Sequence, residues 1–226
     1  MTGRLMPRLD VLPPVQLQLW PALRPVSGLG FTLYGGTAIA LRLGHRPSVD
    51  FDFFSEQPLD RQAIRQALPF VGRATTLQEQ DNTWVLLAAV DGMSAESVKL
   101  SFFGTIGFGR VGDPEMTDDG VLRVASMDDL MATKVKVVLQ RAEAKDYRDI
   151  AAMLAAGADL SRALASARLL FGPNFQPSES LKALVYFKYG DLNLLTAAEK
   201  STLVDAVKGV RDLPAVVLRS GSLAAP

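Results

Sequence analysis

The sequence has no cysteine and only one histidine, His45. Without cysteine, disulfide bonds, thiolate zinc sites and a cysteine nucleophile are excluded. The absence fits a reducing compartment, so we expect a cytoplasmic protein. We interpret His45 as a hydrogen-bonding residue, within the structure or beside a phosphate, rather than as a catalytic one.

Long apolar runs and a surplus of either charge are also absent. No stretch reaches the roughly 18 apolar residues of a membrane helix, and residues 1–10 lack the apolar segment of a signal peptide. Lys and Arg total 24, as do Asp and Glu, so the formal net charge is zero. Proteins that hold long stretches of nucleic acid are usually basic, so any such contact must come from a local patch.

Two regions of different secondary structure are predicted within the 226 residues. In the first, a Pro- and Leu-rich arm comes before alternating strand and helix patterns. Its predicted strands are 31–34, 49–54, 71–77, 83–90 and 97–103, with a turn at Asp91-Gly92, and its predicted helices are 37–43 and 58–68. A short strand at 121–124 then leads into helices over 126–141, 146–156, 160–170, 178–189 and 197–208. We therefore predict an α+β domain over residues 1–120, including the arm, and a helical domain over 121–226.

Asp50 and Asp52 lie in the predicted strand at 49–54, which alternates apolar and acidic residues. Side chains two apart on a strand point to the same face, so the two carboxylates are expected side by side. Their repulsion favours a cation between them, and Mg²⁺ prefers oxygen ligands and shares them with phosphates. The alternatives are a solvated strand face or a negative edge that discourages aggregation.

Gly35-Gly36 stands between a predicted strand and the start of a predicted helix. A glycine pair lets the backbone approach phosphate oxygens, and the N–H groups and dipole at the helix start favour an anion. For an isolated glycine pair, a tight turn is the alternative. The order of strand, Gly-Gly, helix and Asp-x-Asp strand is more specific than either motif, and it predicts a phosphate site beside a metal site.

Tyr34-Gly35-Gly36 followed by Asp50-Phe51-Asp52 resembles the signature of the DNA polymerase β-like nucleotidyltransferases. The fuller string, from Gly35 through Leu41 and then His45-Arg46-x-Ser48-x-Asp50, is similar to the AbiEii/AbiGii group. That group comprises the toxins of type IV toxin–antitoxin and abortive-infection systems. A second block agrees with it and contains Asp129-Leu130, Lys134, Arg141, Lys145-Asp146 and Asp149. The resemblance covers roughly residues 30–155.

The second block also suits a phosphate-binding surface if its helix is continuous. At about 100° per residue, Arg141 and Lys145 lie within roughly 20° of Lys134, which makes a cationic stripe suited to a triphosphate. The alternative is a surface face on which these cations pair with Glu143 and Asp146.

The resemblance implies a polymerase β-like nucleotidyltransferase fold with a mixed sheet, followed by a C-terminal helical bundle. It implies transfer of a nucleoside monophosphate from an NTP to an acceptor, with Mg²⁺ or Mn²⁺ held by Asp50 and Asp52. Lys134 and Asp149 match functional residues of the group, so they join the two aspartates as expected catalytic residues. The residues expected to contact the NTP are Gly35, Gly36, Thr37, Arg46, Ser48, Arg141, Lys145 and Asp146. MenT-type relatives imply a tRNA 3′ end as acceptor, and the group implies a cognate antitoxin as partner.

One position departs from the superfamily pattern. Polymerase β-like enzymes typically carry a third carboxylate on a later strand, and the matching strand here, at 97–103, has Ser101 instead. Either Asp146 or Asp149 supplies the third acid, or two carboxylates hold the metal. Two alternatives to the toxin-like enzyme follow: transfer to a small molecule or a protein hydroxyl, and a degenerate module that binds a nucleotide or a partner without catalysis. The motifs leave the NTP, the acceptor and the oligomeric state open.

Overall fold

The computed structural model describes residues 3–89 and 97–224, and the chain divides into two compact units. The α+β unit comprises Met1–Gly109, Asp113–Ala125 and Ser220–Pro226, and the helical unit comprises Arg110–Gly112 and Ser126–Arg219. The main division therefore falls at 125/126, beside the predicted boundary at 120/121. The turn expected at Asp91-Gly92 lies outside the described residues.

A mixed sheet forms the centre of the α+β unit. In the described part of the chain its strands are β1 (Arg4–Leu5), β2 (Thr32–Tyr34), β3 (Asp50–Phe54), β4 (Thr75–Gln80), β5 (Thr83–Ala89), β6 (Ser97–Phe103), β7 (Glu115–Thr117) and β8 (Arg123–Val124). They lie in the order β1-β7-β8-β2-β3-β6-β5-β4. The sheet is mixed because β3 runs antiparallel to β2 and parallel to β6. The α+β class predicted from the sequence is confirmed.

One face of the sheet is the hydrophobic core of this unit. Phe51 and Phe53 on β3 have no exposed surface, and neither does Phe102 on β6. The Phe53 and Phe102 rings stack with their centroids 5.2 Å apart. Because strand side chains alternate, burying these residues turns Asp50 and Asp52 to the opposite face.

Short helices cover the core face of the α+β unit. They are α1 (Pro14–Leu19), α2 (Pro25–Gly28), α3 (Gly35–Leu43) and α4 (Arg61–Ala67). Both α1 and α2 begin with proline, whose fixed φ suits the first helical position. The Pro-rich arm is part of the fold, since Trp20 lies against Phe51, with ring centroids 6.3 Å apart.

The helical unit contains α5 (Met127–Val137), α6 (Ala144–Ala155), α7 (Leu160–Phe171), α8 (Pro177–Leu184) and α9 (Ala197–Gly209). The Ser126 cap predicted from the sequence is present, since its hydroxyl accepts from the Asp129 N–H at 3.1 Å. Among the described residues, no helix is both long and apolar enough to span a membrane. The helices α5 to α9 confirm the C-terminal helical region predicted from the sequence.

Several predicted boundaries are wrong. The helix predicted over 126–141 ends at Val137, because the chain turns and restarts as α6, which buries Tyr147 and Ile150. The helix predicted to 189 ends at Leu184, since aromatic and β-branched residues after it are weak helix formers. The strand predicted at 71–77 begins at Thr75, after a short 3-10 helix. The sequence patterns missed β1 and β7, which are only two and three residues long.

Candidate active site

Asp50 and Asp52 lie side by side on the polar face of β3. Both side chains are partly exposed, while the intervening Phe51 is buried. In the sheet register, Asp52 pairs with Tyr34 on β2 and with Ser101 on β6. The two side chains therefore lie on the same face of β3, as expected, and the strands on both sides fix the backbone that carries them.

Gly35, the first residue of α3, is in close contact with Asp52. Its φ is +73°, a conformation that residues with a side chain rarely adopt. A Cβ atom at this position would overlap Asp52 Oδ2. The glycine is therefore required both by the backbone conformation and by the approach of the carboxylate.

The start of α3 has the features of an anion site. α3 has nine residues, no acidic residue in its first turn and no side-chain cap from Tyr34. The N–H groups of the first turn have no partner within the helix, and the helix dipole is positive there. Gly35, Gly36 and Thr37 supply these N–H groups, immediately beside the Asp52 carboxylate.

The side chains of Thr37 and Ser48 hold Asp50 in place. Their hydroxyls are hydrogen-bonded to each other at 2.7 Å, and Thr37 Oγ1 donates to the Asp50 carbonyl oxygen. Both residues are buried, with 1% and 7% of their surface exposed. These hydroxyls therefore tie α3 to the start of β3. Arg46, in the same loop, donates to the Pro47 carbonyl at 2.9 Å.

The position expected for a third carboxylate holds Ser101, which is buried beside Asp52. Within residues 3–89 and 97–224, no group of three or more His, Asp or Glu side chains is placed to hold a metal ion. The acidic side chains that β3 places on this sheet face are Asp50 and Asp52.

Lys99 is a charged neighbour of this pair that the sequence motifs did not single out. It lies opposite Asp50 in the β3–β6 register, and its Nζ is 3.5 Å from Asp50 Oδ2. The sequence contained the information needed to identify it. Lys99 is the first lysine in the chain, and it precedes Ser101 by two residues in the same predicted strand. Alternation on β6 places both side chains on the face of Asp50 and Asp52.

A buried charge cluster joins α5 and α6 in the helical unit. The Lys134 Nζ is 2.6 Å from Asp146 Oδ1 and 2.6 Å from Asp149 Oδ2. Arg141 donates from Nε to Asp146 Oδ2 at 2.7 Å and from its terminal nitrogen to Asp146 Oδ1 at 3.2 Å. Two cations thus balance two carboxylates that have no exposed surface.

Asp146 is held in its charged form by this cluster. Burial alone would raise the pKa of its carboxyl, but the Arg141 hydrogen bonds and the Lys134 charge outweigh burial and lower it. The protein therefore keeps Asp146 as a permanent anion at neutral pH.

The cationic stripe expected along one continuous helix is wrong, because α5 and α6 are separate helices. Lys145 pairs with Glu143 at 2.9 Å, and Arg148 donates to the Leu194 carbonyl at 2.7 Å. Arg141 points back to Asp146. These contacts agree with the alternative interpretation of the sequence, in which the cations form ion pairs: Arg141 pairs with Asp146, and Lys145 pairs with Glu143.

Asp129, also part of the second sequence block, has a local structural role. Its carboxylate accepts from the Val111 N–H at 2.7 Å and the Gly112 N–H at 3.2 Å. It also accepts from the Ser126 hydroxyl at 2.5 Å. Burial raises the pKa of Asp129 even though these bonds oppose the shift.

Comparison with known proteins connects both parts of the chain to one family. The family model described as nucleotidyl transferase AbiEii toxin, type IV toxin–antitoxin system, matches residues 21–208. An uncharacterized protein of Aquifex aeolicus (strain VF5) is 34% identical over a match of 135 residues that covers 57% of this chain. The chain spans 62% of the length of that relative.

A solved structure has the same fold. MenT4, a nucleotidyltransferase toxin from Mycobacterium tuberculosis H37Rv, matches with a TM-score of 0.59 and 12% identity. The match covers 87% of this chain and 84% of that one. At this identity the likeness establishes the fold.

Proposed function

The chain belongs to the nucleotidyl transferase AbiEii toxin family of type IV toxin–antitoxin systems, and on that premise we propose that it is an active nucleotidyltransferase. It transfers a nucleoside monophosphate from an NTP to an acceptor hydroxyl, and pyrophosphate leaves. The observation that carries this proposal is the placement of Asp50 and Asp52 on one sheet face, with Asp52 against the first residue of α3.

The two aspartates fit a divalent cation, Mg²⁺ or Mn²⁺. Both supply hard carboxylate oxygens, both are partly exposed, and Mg²⁺ sites commonly use one or two carboxylates plus water and substrate phosphates. When bound, such a cation would neutralise charge on the phosphoryl group that is transferred. Lys99 partly neutralises Asp50. The pair of aspartates therefore needs less additional positive charge from bound cations than a site with three carboxylates would need.

The backbone at the start of α3 binds the phosphates in this proposal. The N–H groups of Gly35, Gly36 and Thr37 face the anion, assisted by the helix dipole. Thr37 and Ser48 act through their hydroxyls by fixing the Asp50 backbone. Arg46 contributes positive charge from the adjoining loop.

The helical cluster holds the cationic groups of Lys134 and Arg141 in fixed positions. Lys134 has 5% of its surface exposed, whereas Asp149 has none. We propose that Lys134 stabilises negative charge on the phosphates and that Asp149 and Asp146 position its ammonium. We propose that Arg141 and Lys145, whose side chains are about half exposed, contact the NTP phosphates through that exposed surface while they keep their ion pairs with Asp146 and Glu143.

For the finer assignments, we propose the 3′ end of an RNA such as tRNA as the acceptor. We also propose a cognate antitoxin protein as the partner that restrains the enzyme. The antitoxin assignment rests on membership of a toxin–antitoxin family, and the RNA assignment rests on the resemblance of the sequence motifs to MenT-type relatives.

The test is to incubate the full chain with each α-labelled NTP, Mg²⁺ and separate cellular fractions of RNA, protein and metabolites. We expect label from at least one NTP in the RNA fraction. A γ-labelled NTP is the matched control, because its label leaves with pyrophosphate. Label in the protein or metabolite fraction would replace the RNA acceptor with a small molecule or protein hydroxyl.

A second readout separates the enzyme from a non-catalytic binder. Thermal melting with and without Mg²⁺ and NTP measures ligand binding by stabilisation of the folded state. Stabilisation without incorporation in any fraction would contradict catalysis and support a degenerate nucleotide-binding module.

A further inference from the structure

A groove in the helical unit is lined by exposed aromatic rings and cations. It has a volume of about 440 Å³, and its lining includes Leu139, Arg141, Tyr147, Lys182, Tyr186 and Tyr189. Sites for small ligands have volumes of roughly 300–1,000 Å³, so this one is large enough for a nucleotide. We call it the tyrosine groove.

Two of its aromatic residues are unusually accessible. Tyr186 is 44% exposed and Tyr189 is 66% exposed. Their rings are neighbours, with centroids 5.1 Å apart and planes inclined by 53°. By contrast, Tyr147 is buried and its hydroxyl donates to the Ala183 carbonyl at 3.2 Å. Tyr186 and Tyr189 thus form a contacting pair of rings that keeps much of its surface accessible.

The groove belongs to the positively charged part of a neutral chain. Within the unit boundaries, the helical unit has 14 Lys and Arg against 11 Asp and Glu, whereas the α+β unit has 10 against 13. The segment 180–190, which contains both exposed tyrosines, carries Lys182 and Lys188 and no acid, and Glu179 is the acidic residue of the groove lining. Lys182 pairs with Glu179 on the surface, a weak contact that a phosphate can replace.

Arg141 connects the groove to the buried charge cluster. It lines the groove, and its guanidinium also holds Asp146, which is bonded in turn to Lys134. A ligand in the tyrosine groove therefore lies next to the residues that we assign to phosphate charge stabilisation in the same unit.

We propose that the tyrosine groove binds the single-stranded end of a nucleic-acid acceptor. Unpaired bases stack on Tyr186 and Tyr189, and an adjoining phosphate pairs with Lys182. Aromatic side chains interleaved with cations are the features by which proteins bind single strands of varied sequence. The inference rests on the proposed function, because it assigns the acceptor of that reaction to a named surface.

Direct binding tests the groove independently of catalysis. The probes are fluorescein-labelled oligouridine and oligoadenosine strands of about eight nucleotides, titrated with the full chain without NTP or Mg²⁺ and followed by anisotropy. We expect Tyr186→Ala and Tyr189→Ala each to weaken binding about tenfold, and Tyr186→Phe and Tyr189→Phe to leave it within about twofold, because the ring faces remain. A duplex of the same length should compete poorly, since its bases are already stacked.

The electrostatic contribution to RNA binding is tested by replacing Lys182, with Lys208 as the matched control. Both lysines are exposed, at 72% and 74%, and each pairs with an acid three residues before it. Lys182→Ala should reduce the slope of log affinity against log salt by about 0.7, as expected for one lost phosphate contact on a single strand. Lys208→Ala, outside the groove, should leave the slope unchanged.

The outcomes separate this proposal from the proposed function. RNA binding that depends on the two tyrosines, without nucleotide transfer to any acceptor, would overturn the proposed nucleotidyltransferase function and support nucleic-acid binding in the tyrosine groove. If the Tyr186→Ala/Tyr189→Ala variant bound RNA with unchanged affinity and transferred nucleotide to RNA with unchanged efficiency, nucleic-acid binding in the tyrosine groove would be overturned. The proposed nucleotidyltransferase function would stand. Loss of binding to a protein partner, with RNA affinity unchanged, would assign the groove to a protein interface and overturn the proposal.

Discussion

Lys99 lies directly beside Asp50 in the parallel register of β3 and β6, and its ammonium is 3.5 Å from the carboxylate. Ser101 occupies the equivalent place beside Asp52. The neighbours of the two aspartates are thus a cation and a neutral hydroxyl. Lys99 offsets part of the negative charge of the aspartate pair, so the arrangement suits a site with two carboxylates in place of three.

Replacing Lys99 with methionine should strengthen divalent-cation binding to the nucleotide-free protein by a few-fold. The ammonium competes with a cation for Asp50, and a half-exposed pair is worth about 0.2–1 kcal/mol. Nucleotide transfer should fall at the same time, because positive charge beside the phosphates is lost. Calorimetric titration with Mn²⁺ and a transfer assay measure the two effects. Lys99→Arg is the control, and weaker cation binding in Lys99→Met would contradict this role.

Asp50→Asn and Asp52→Asn should each reduce nucleotide transfer to background while leaving the folded state equally stable or slightly more stable. The reason is that two like charges held together oppose folding when no divalent cation is bound, and relief of this repulsion offsets the loss of the weak Lys99 pair in Asp50→Asn. Labelled-NTP incorporation and a melting curve without Mg²⁺ measure activity and stability. Transfer at the wild-type rate in either variant would show that the carboxylates do not hold the metal.

Gly35→Ala should destabilise the protein by about 1–2 kcal/mol, the usual cost of a left-handed conformation for a residue with a side chain. Transfer activity should fall further than stability, because the new Cβ displaces the Asp52 carboxylate. Chemical denaturation and the transfer assay check both parts. The control is Gly28→Ala at the end of α2, where a Cβ meets no atom within 4 Å. Similar losses in both variants would exclude a specific role for the Gly35–Asp52 contact.

Lys134→Met should lower the free energy of unfolding by about 3–5 kcal/mol, because it removes one partner from a buried ionic cluster. Adding Asp149→Asn should restore part of that loss by removing a buried negative charge. Lys136→Met on the same helix is the matched control and should cost only about 0.5–1 kcal/mol, the value of its contact with the Phe171 ring. Denaturant titrations followed by circular dichroism measure the unfolding free energy of each variant and show whether Lys134→Met is the least stable. Equal stability of the Lys134 and Lys136 variants would disprove it.

Asp146 should contribute to an acid-sensitive component of stability. Its pKa is lower in the folded protein than in the unfolded chain, so its stabilising effect is complete above the unfolded value, about 3.9. The effect is then lost as the pH falls through the folded pKa. We expect the difference in unfolding free energy between wild type and Asp146→Asn to be constant near neutral pH and to shrink below about pH 4. A difference independent of pH would contradict the lowered pKa.

The sequence by itself determined the local parts of the candidate site. Period-2 alternation placed Asp50 and Asp52 on one strand face, and that face is where they lie. Gly35-Gly36 marked the start of α3, and the Ser126 pattern marked the start of α5. These features depend on residues a few positions apart, whose relative placement follows from backbone geometry and capping.

Only the tertiary structure decided the partners of the charged residues. Lys99 and Asp50 are 49 residues apart in the chain, and the register of two parallel strands brings them together. Lys134 reaches Asp146 because α5 ends at Val137 and the chain turns back into α6. Helical periodicity assumed one continuous helix and therefore placed Lys134, Arg141 and Lys145 in a common stripe. Burying apolar residues such as Tyr147 and Ile150 outweighs local helix propensity, so packing across the fold set where the helix ended and which charges met.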